Sequence, residues 1–152
     1  MECLNYFNQL LSRREYSVYE LTNKAKEKGF EEDDINTAIS DLQSKGYQSD
    51  VRLVESAIAS YAGKYGKTVI KRKCAEKGID REVFEEVWQA QVEEGAEDDL
   101  DKLKAKVVRK YKITDFHRID PKTKSKLWNY LQYRGFNPGE VIQQWKESET
   151  EQ

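Results

Sequence analysis

The sequence predicts an all-α fold: three tandem three-helix modules, each resembling a helix-turn-helix, in an elongated array whose curvature is open. The first observation behind this expectation is a recurring phrase. A basic residue, a glycine and an apolar residue appear as Lys28-Gly29-Phe30, Lys77-Gly78-Ile79 and Arg134-Gly135-Phe136. The second is that their surroundings align. Leu21, Ile70 and Leu127 stand eight residues before the glycine, and Ala25, Cys74 and Leu131 stand four before it. Ile35, Phe84 and Val141 stand six after it, and Ile39, Trp88 and Trp145 ten after it. Together with the residue after glycine, five apolar columns repeat in register, the signature of stacked supersecondary units. Third, only two prolines and eight glycines interrupt the chain, which suits helices better than a many-stranded sheet.

Each module reads in the same order. An amphipathic first helix is marked by Leu4, Phe7, Leu10 and Leu11 in copy one. In copy two it is marked by Val54, Ala57, Ile58 and Tyr61, and in copy three by Leu100, Leu103, Val107 and Tyr111. The second helix carries the two columns before the glycine, which lie four apart and so share a face. Ser17 with Glu20 three residues later reads as a capping box at its start in copy one. Glycine stops that helix because the left-handed position costs it no steric penalty, and the preceding basic residue suits the negative end of the dipole. The third helix buries the two columns after the glycine. Asp80 reads as an N-cap, and Asn137-Pro138 as a cap followed by proline in the first turn. The modules are expected at 1–49, 50–96 and 97–148, with 149–152 a disordered tail. Lys45-Gly46-Tyr47 and Glu94-Gly95-Ala96 mark the junctions, and the acidic run from Glu93 to Asp101 reads as a solvated one.

Composition bounds the function. Hydrophobic residues make up 38% and charged residues 36% of 152, too little apolar content for one large core. No run approaches the roughly 18 apolar residues of a membrane span, and the first residues carry neither a basic region nor an apolar core of a signal peptide. The expectation is a cytoplasmic monomer without membrane contact. Cys3 and Cys74 belong to no CxxC pair and read as free thiols. The net charge of −2 conceals a gradient. The first fifty residues are acidic, whereas 102–134 hold eleven basic residues against Asp115 and Asp120 alone.

Catalysis has little support. The single histidine, His117, has no nucleophile near it in sequence, and neither cysteine shows metal-ligand spacing. Gly63-Lys64-Tyr65-Gly66-Lys67 does not match a phosphate loop. Asp33-Asp34 and Asp98-Asp99 read as acids at helix starts rather than ligands. No enzyme activity, cofactor or metal is expected.

Several phrases resemble the RecX family of RecA regulators. Ser12-Arg13-Arg14-Glu15-Tyr16-Ser17, followed by Glu20-Leu21, is similar to a phrase of that family's first module. Gly46-Tyr47-Gln48-Ser49-Asp50-Val51-Arg52-Leu53 is similar to its junction, with Leu53 where phenylalanine is usual and Gln48-Ser49 replacing a Leu-Asn or Ile-Asp pair. The basic entry Tyr65 to Lys73, then Lys77-Gly78-Ile79, and Leu131-Gln132-Tyr133-Arg134-Gly135-Phe136 complete the order over nearly the whole chain. The resemblance implies a protein that binds RecA, within the groove of its nucleoprotein filament. It further implies a block on filament growth and reduced strand exchange and ATP hydrolysis. Several members also bind DNA.

Candidate partner or DNA contacts follow from charge. Lys64, Lys67, Lys71, Arg72 and Lys73 are five cations in ten residues with no acid among them. Arg109, Lys110, Lys112, Arg118, Lys122, Lys124 and Lys126 form a second group, interleaved with Tyr111, Phe116 and Trp128. Arg13 and Arg14 are a third candidate. The competing reading of each group is structural: solvated helix faces for the lysines, and neutralising the first helix's dipole or pairing with Glu15 and Glu20 for the arginines. Trp88 and Trp145 fall on repeat columns and are expected in the core, whereas Trp128 does not and is expected to be partly exposed. Two other functions stay open: a stand-alone helix-turn-helix DNA-binding protein, and a helical scaffold that binds only protein. The acidic third helices, near 31–43, 81–93 and 138–148, count against the first.

Overall fold

The computed structural model describes residues 2–93 and 100–150, and these residues form helices and turns without a strand. The helices are α1 Glu2–Leu11, α2 Val18–Glu27, α3 Glu32–Ser44, α4 Asp50–Tyr61, α5 Lys67–Glu76, α6 Arg81–Glu93, α7 Leu100–Tyr111, α8 Pro121–Tyr133 and α9 Pro138–Thr150. A short 3-10 turn, Phe116–Arg118, stands between α7 and α8. No helix among the described residues is long and apolar enough to cross a membrane. The acidic junction at 94–99, with Asp98-Asp99, lies outside the described residues.

The repeat columns are what the fold buries. Leu21, Ala25, Ile35 and Ile39 are buried in copy one, Ile70, Cys74, Ile79 and Phe84 in copy two. Leu127, Leu131, Phe136, Val141 and Trp145 are buried in copy three. Fully burying a leucine such as Leu21 or Leu127 contributes about 1.5–3 kcal/mol. Trp88 departs from this pattern: it is half-buried and stacks on Phe84 with ring centroids 5.9 Å apart. Trp128 is 40% exposed, as its position off the columns predicts.

The three glycine turns share one hydrogen-bond pattern. In each, the N–H after glycine reaches back five residues: Phe30 to the Ala25 carbonyl at 3.1 Å, Ile79 to Cys74 at 3.2 Å and Phe136 to Leu131 at 3.0 Å. Gly29, Gly78 and Gly135 have φ of 87°, 74° and 89°, which only glycine adopts without strain. The same two positions therefore supply the apolar columns and the backbone partners of the helix stop.

Two compact units make up the chain. The first comprises the residues up to Ile58 together with Lys71–Ala90. Its main core joins Cys3 and Phe7 of α1, Leu21 and Ala25 of α2, and Ile35, Ala38, Ile39 and Leu42 of α3. The second comprises Ala59–Ile70 and the chain from Gln91 onward. Its core joins Leu103 and Val107 of α7 and Ile113 and Phe116 of the following turn. Leu127 and Leu131 of α8 and Val141, Ile142 and Trp145 of α9 complete it. α9 runs through Glu149 and Thr150, two positions the sequence reading assigns to a tail. The Glu149 carboxylate accepts the Phe116 N–H and thereby holds this last turn in place, while 151–152 lie outside the described residues.

Candidate partner-binding surfaces

The phrase around Arg13 and Arg14 is built into the first unit. The Ser17 hydroxyl caps α2 by accepting the Glu20 N–H at 3.1 Å, and the Glu20 carboxylate returns to the Ser17 N–H at 2.9 Å. Ser17 also donates to the Lys77 carbonyl at 2.6 Å, sixty residues away. Arg14 lies in the turn after α1, pairs with Glu20 at 3.1 Å and covers the Tyr16 ring at 3.6 Å. Partial burial disfavours the arginine's charge, but Glu20 and Tyr16 outweigh it and hold its pKa above the ordinary value. Burial alone would raise the Glu20 pKa; the Ser17 N–H, Arg14 and the charge of Lys77 together hold it below the ordinary range. Arg14 donates to the Glu15 carbonyl at 2.9 Å, while the Glu15 carboxylate pairs with Arg52, whose other nitrogens donate to the Gly46 and Tyr47 carbonyls at 2.9 and 3.3 Å. Arg13 is exposed.

Gln48 lies in the phrase that joins α3 to α4. It is buried, yet its amide donates to the Tyr16 carbonyl at 3.2 Å and the Asp50 carboxylate at 2.8 Å, and accepts from Gln43 at 3.1 Å. Asp50 in turn accepts the Val18 N–H at 3.1 Å. A buried amide is tolerated here because its polar atoms find partners. The phrases from Glu15 to Val18 and from Gly46 to Arg52 thus form one hydrogen-bonded joint.

The five cations from Lys64 to Lys73 do not fall in one compact unit: Lys64 and Lys67 belong to the second, and Lys71, Arg72 and Lys73 to the first. Lys71 pairs with Glu85 of α6 at 2.5 Å, and Arg72 with Glu76 one turn on at 4.0 Å. Lys67 and Lys73 are also engaged within the molecule. Lys64 is exposed, with its ammonium 5.7 Å from the Tyr65 ring centre.

In the second unit, cations and tyrosines alternate. The Lys110 ammonium lies 4.6 Å from the Tyr130 ring centre and 5.6 Å from that of Tyr111. The Arg134 guanidinium lies 4.8 Å from Tyr130 and 5.6 Å from Tyr65, and donates to the Lys64 carbonyl at 3.1 Å. Burial, with Tyr130 nearby, pushes the Tyr111 hydroxyl pKa up. Here Gly66 meets Gly135: the Gly66 N–H donates to the Arg134 carbonyl at 2.7 Å, and a Cβ on Gly66 would stand 2.5 Å from the Gly135 oxygen. Sequence reasoning gave Arg134 only a helix-stop role. Tyr130 lies one helical turn before it, whereas Tyr65 is a ring that no local period places beside it.

Arg109 is exposed in the last turn of α7, and Lys112 follows in a left-handed conformation with φ 54°. Arg118 pairs with Asp115 at 3.7 Å. Lys122, Lys124 and Lys126 are exposed on α8, which Asp120 caps by accepting the Thr123 N–H at 2.7 Å. Chiefly that bond, with the positive charges nearby, holds the Asp120 pKa below the ordinary carboxylate value. Cys3 and Cys74 are buried thiols whose pKa values burial raises, so both are held as thiols rather than thiolates. Among the described residues no three metal-ligating side chains come together.

The fold defines a helical protein built of three-helix modules. The family model of the first three-helix domain of RecX matches residues 3–42. Proteins named Regulatory protein RecX are similar over most of their length. That of Haemophilus influenzae is 36% identical over 138 residues, covering 90% of this chain and 88% of the relative. That of Legionella pneumophila is 34% identical over 140 residues, covering 91% and 89%. The crystal structure of RecX from Lactobacillus salivarius superposes with a TM-score of 0.77 over 96% of this chain and 95% of that one, at 22% identity. A second crystal structure, of a regulatory protein RecX, gives 0.70 over 94% and 72%, at 18% identity. The chain belongs to the RecX family.

Proposed function

We propose that the protein restrains homologous recombination by binding RecA in the groove of its nucleoprotein filament, slowing filament growth and lowering strand exchange and ATP hydrolysis. It works in the cytoplasm as a monomer and acts without chemistry of its own. The observation that carries this reading is the 36% identity to a regulatory protein over 90% of the chain. The arrangement of charge is compatible with it. Arg13, Lys64, Arg109, Lys110, Lys122, Lys124 and Lys126 are exposed cations that a partner could reach. Arg14, Lys71 and Arg72 already hold Glu20, Glu85 and Glu76 and serve the fold first. A stand-alone helix-turn-helix reader is less well supported, because α9 exposes Glu140 and Glu147 where a recognition helix would meet phosphates.

The test is RecA ATP hydrolysis on single-stranded DNA, with this protein titrated from substoichiometric to equal ratios. Falling hydrolysis is the expected result. Hydrolysis unchanged at equal ratios, with the cognate RecA and a folded regulator, removes this function and favours a scaffold that binds other proteins.

A further inference from the structure

Charge is divided unevenly between the two compact units. The first holds sixteen acidic and twelve basic side chains, and the described residues of the second hold six and fourteen. The first unit settles much of its charge internally, through Arg14–Glu20, Lys45–Asp41, Arg52–Glu15, Lys71–Glu85 and Arg72–Glu76. Its longest run of unpaired charge is acidic: Glu31, Glu32, Asp33 and Asp34 stand exposed at the start of α3. Glu31 makes no side-chain cap, and none of the four joins an ion pair among the described residues. On α8 of the second unit the signs are exchanged. Lys122, Lys124 and Lys126 are exposed there, likewise without an ion pair, and no acid occurs from residue 121 to 139. Two rings accompany them, Trp128 at 40% and Tyr133 at 85% exposure. A shallow groove lined by Pro121, Lys124, Ser125, Trp128 and Asn129 runs along the helix.

We propose that copies of this chain associate head to tail, the α8 face of one copy receiving the acidic start of α3 of the next. Three features select a second copy as the occupant. The two faces are opposite in charge, and each is left unmatched by its own surroundings. The net charge of the chain is only −2, so two copies repel each other weakly at a distance. The rings on α8 add apolar area of the kind that fixes a protein interface, which a small anion would leave unused. Because the two faces differ, the contact is heterologous, and every paired copy keeps one face open for another. Association covers the basic face and so sets how many copies are free to act as monomers. It needs no RecA.

The test is sedimentation velocity of the nuclease-treated full chain over a range of protein concentrations. It is run at about 20 mM and about 500 mM salt, where the screening length falls from about 20 Å to about 4 Å. Concentration-dependent association is expected at the lower salt and single chains at the higher. Two double variants probe the faces: Glu32→Lys with Asp33→Lys, and Lys124→Glu with Lys126→Glu. Each alone is expected to weaken association about tenfold or more, because like charges then face each other. An equimolar mixture of the two restores it, because the unaltered α8 of one meets the unaltered α3 of the other. Misfolding of either variant would not give that recovery. Tyr133→Ala weakens association and leaves its salt dependence unchanged. Single chains at both salts, association that survives the higher salt, or a mixture that stays as single chains overturns the proposal. RecA is absent throughout, so these outcomes leave the ATP hydrolysis test untouched.

Discussion

The turn after α2 and the turn after α8 have the same backbone and different surroundings. Gly29 and Gly135 have φ of 87° and 89°, and both turns close with the same backward hydrogen bonds. A side chain added at Gly29 would meet nothing within 4 Å. One added at Gly135 would stand 2.7 Å from the Val69 backbone nitrogen and 2.6 Å from its Cγ2. The repeated glycine is therefore a helix stop in the first copy, and in the third it is also a contact point for the start of α5. Repetition of a residue in sequence does not mean repetition of its role.

Substitution separates the two roles. Gly135→Ala combines left-handed strain of about 1–2 kcal/mol with an overlap against backbone, which costs about 1–3 kcal/mol more. We expect a stability loss of about 3 kcal/mol or more in urea unfolding, the largest of this series. A loss no greater than that of Gly29→Ala would mean that the approach to Val69 relaxes freely. Gly66→Ala, facing the Gly135 carbonyl from the other side, should fall in the same range.

Gly78 is intermediate. Its Cβ would collide with Tyr19, a side chain that is itself 54% exposed and can swing away. Gly78→Ala is expected to cost about 2 kcal/mol, about half of it strain. In a Tyr19→Ala background the cost should shrink toward that of Gly29→Ala, and a double-mutant cycle measures the difference. Gly29→Ala itself should cost only about 1 kcal/mol, because no neighbour is disturbed.

These contrasts also mark what the sequence can disclose. The apolar columns, the capping box of Ser17 and Glu20 and the glycine stops rest on interactions within five residues, and local spacing reveals them. Ser17 to Lys77, Glu15 to Arg52, Lys71 to Glu85 and Arg134 to Lys64 join residues that only the folded chain brings together. Charge counting could therefore not show that Arg14, Lys71 and Arg72 hold Glu20, Glu85 and Glu76, nor that Arg134 reaches the Tyr65 ring. Trp128 was legible for the opposite reason: its neighbour Leu127 occupies the buried column, so the ring had to lie elsewhere.

The smallest effect distinguishes the two helix starts that precede these turns. Glu20 at the start of α2 and Asp120 at the start of α8 both have pKa values below the ordinary range, so each favours the folded state once ionised. That contribution is complete above the unfolded pKa values, about 4.3 for glutamate and 3.9 for aspartate, and fades as pH falls through the lower folded ones. The causes differ. Glu20 draws on Ser17, Arg14 and Lys77 inside a partly buried joint, whereas Asp120 is exposed and relies mainly on Thr123. Glu20→Gln should therefore lower the urea midpoint at neutral pH and flatten its decline between about pH 5 and 3, with the effect persisting in moderate salt. Asp120→Asn keeps an efficient cap and should leave the neutral midpoint nearly unchanged, its small acid effect fading as salt screens the nearby lysines. Equal salt sensitivity in the two variants would show that the joint around Ser17 shields Glu20 no better than open solvent shields Asp120.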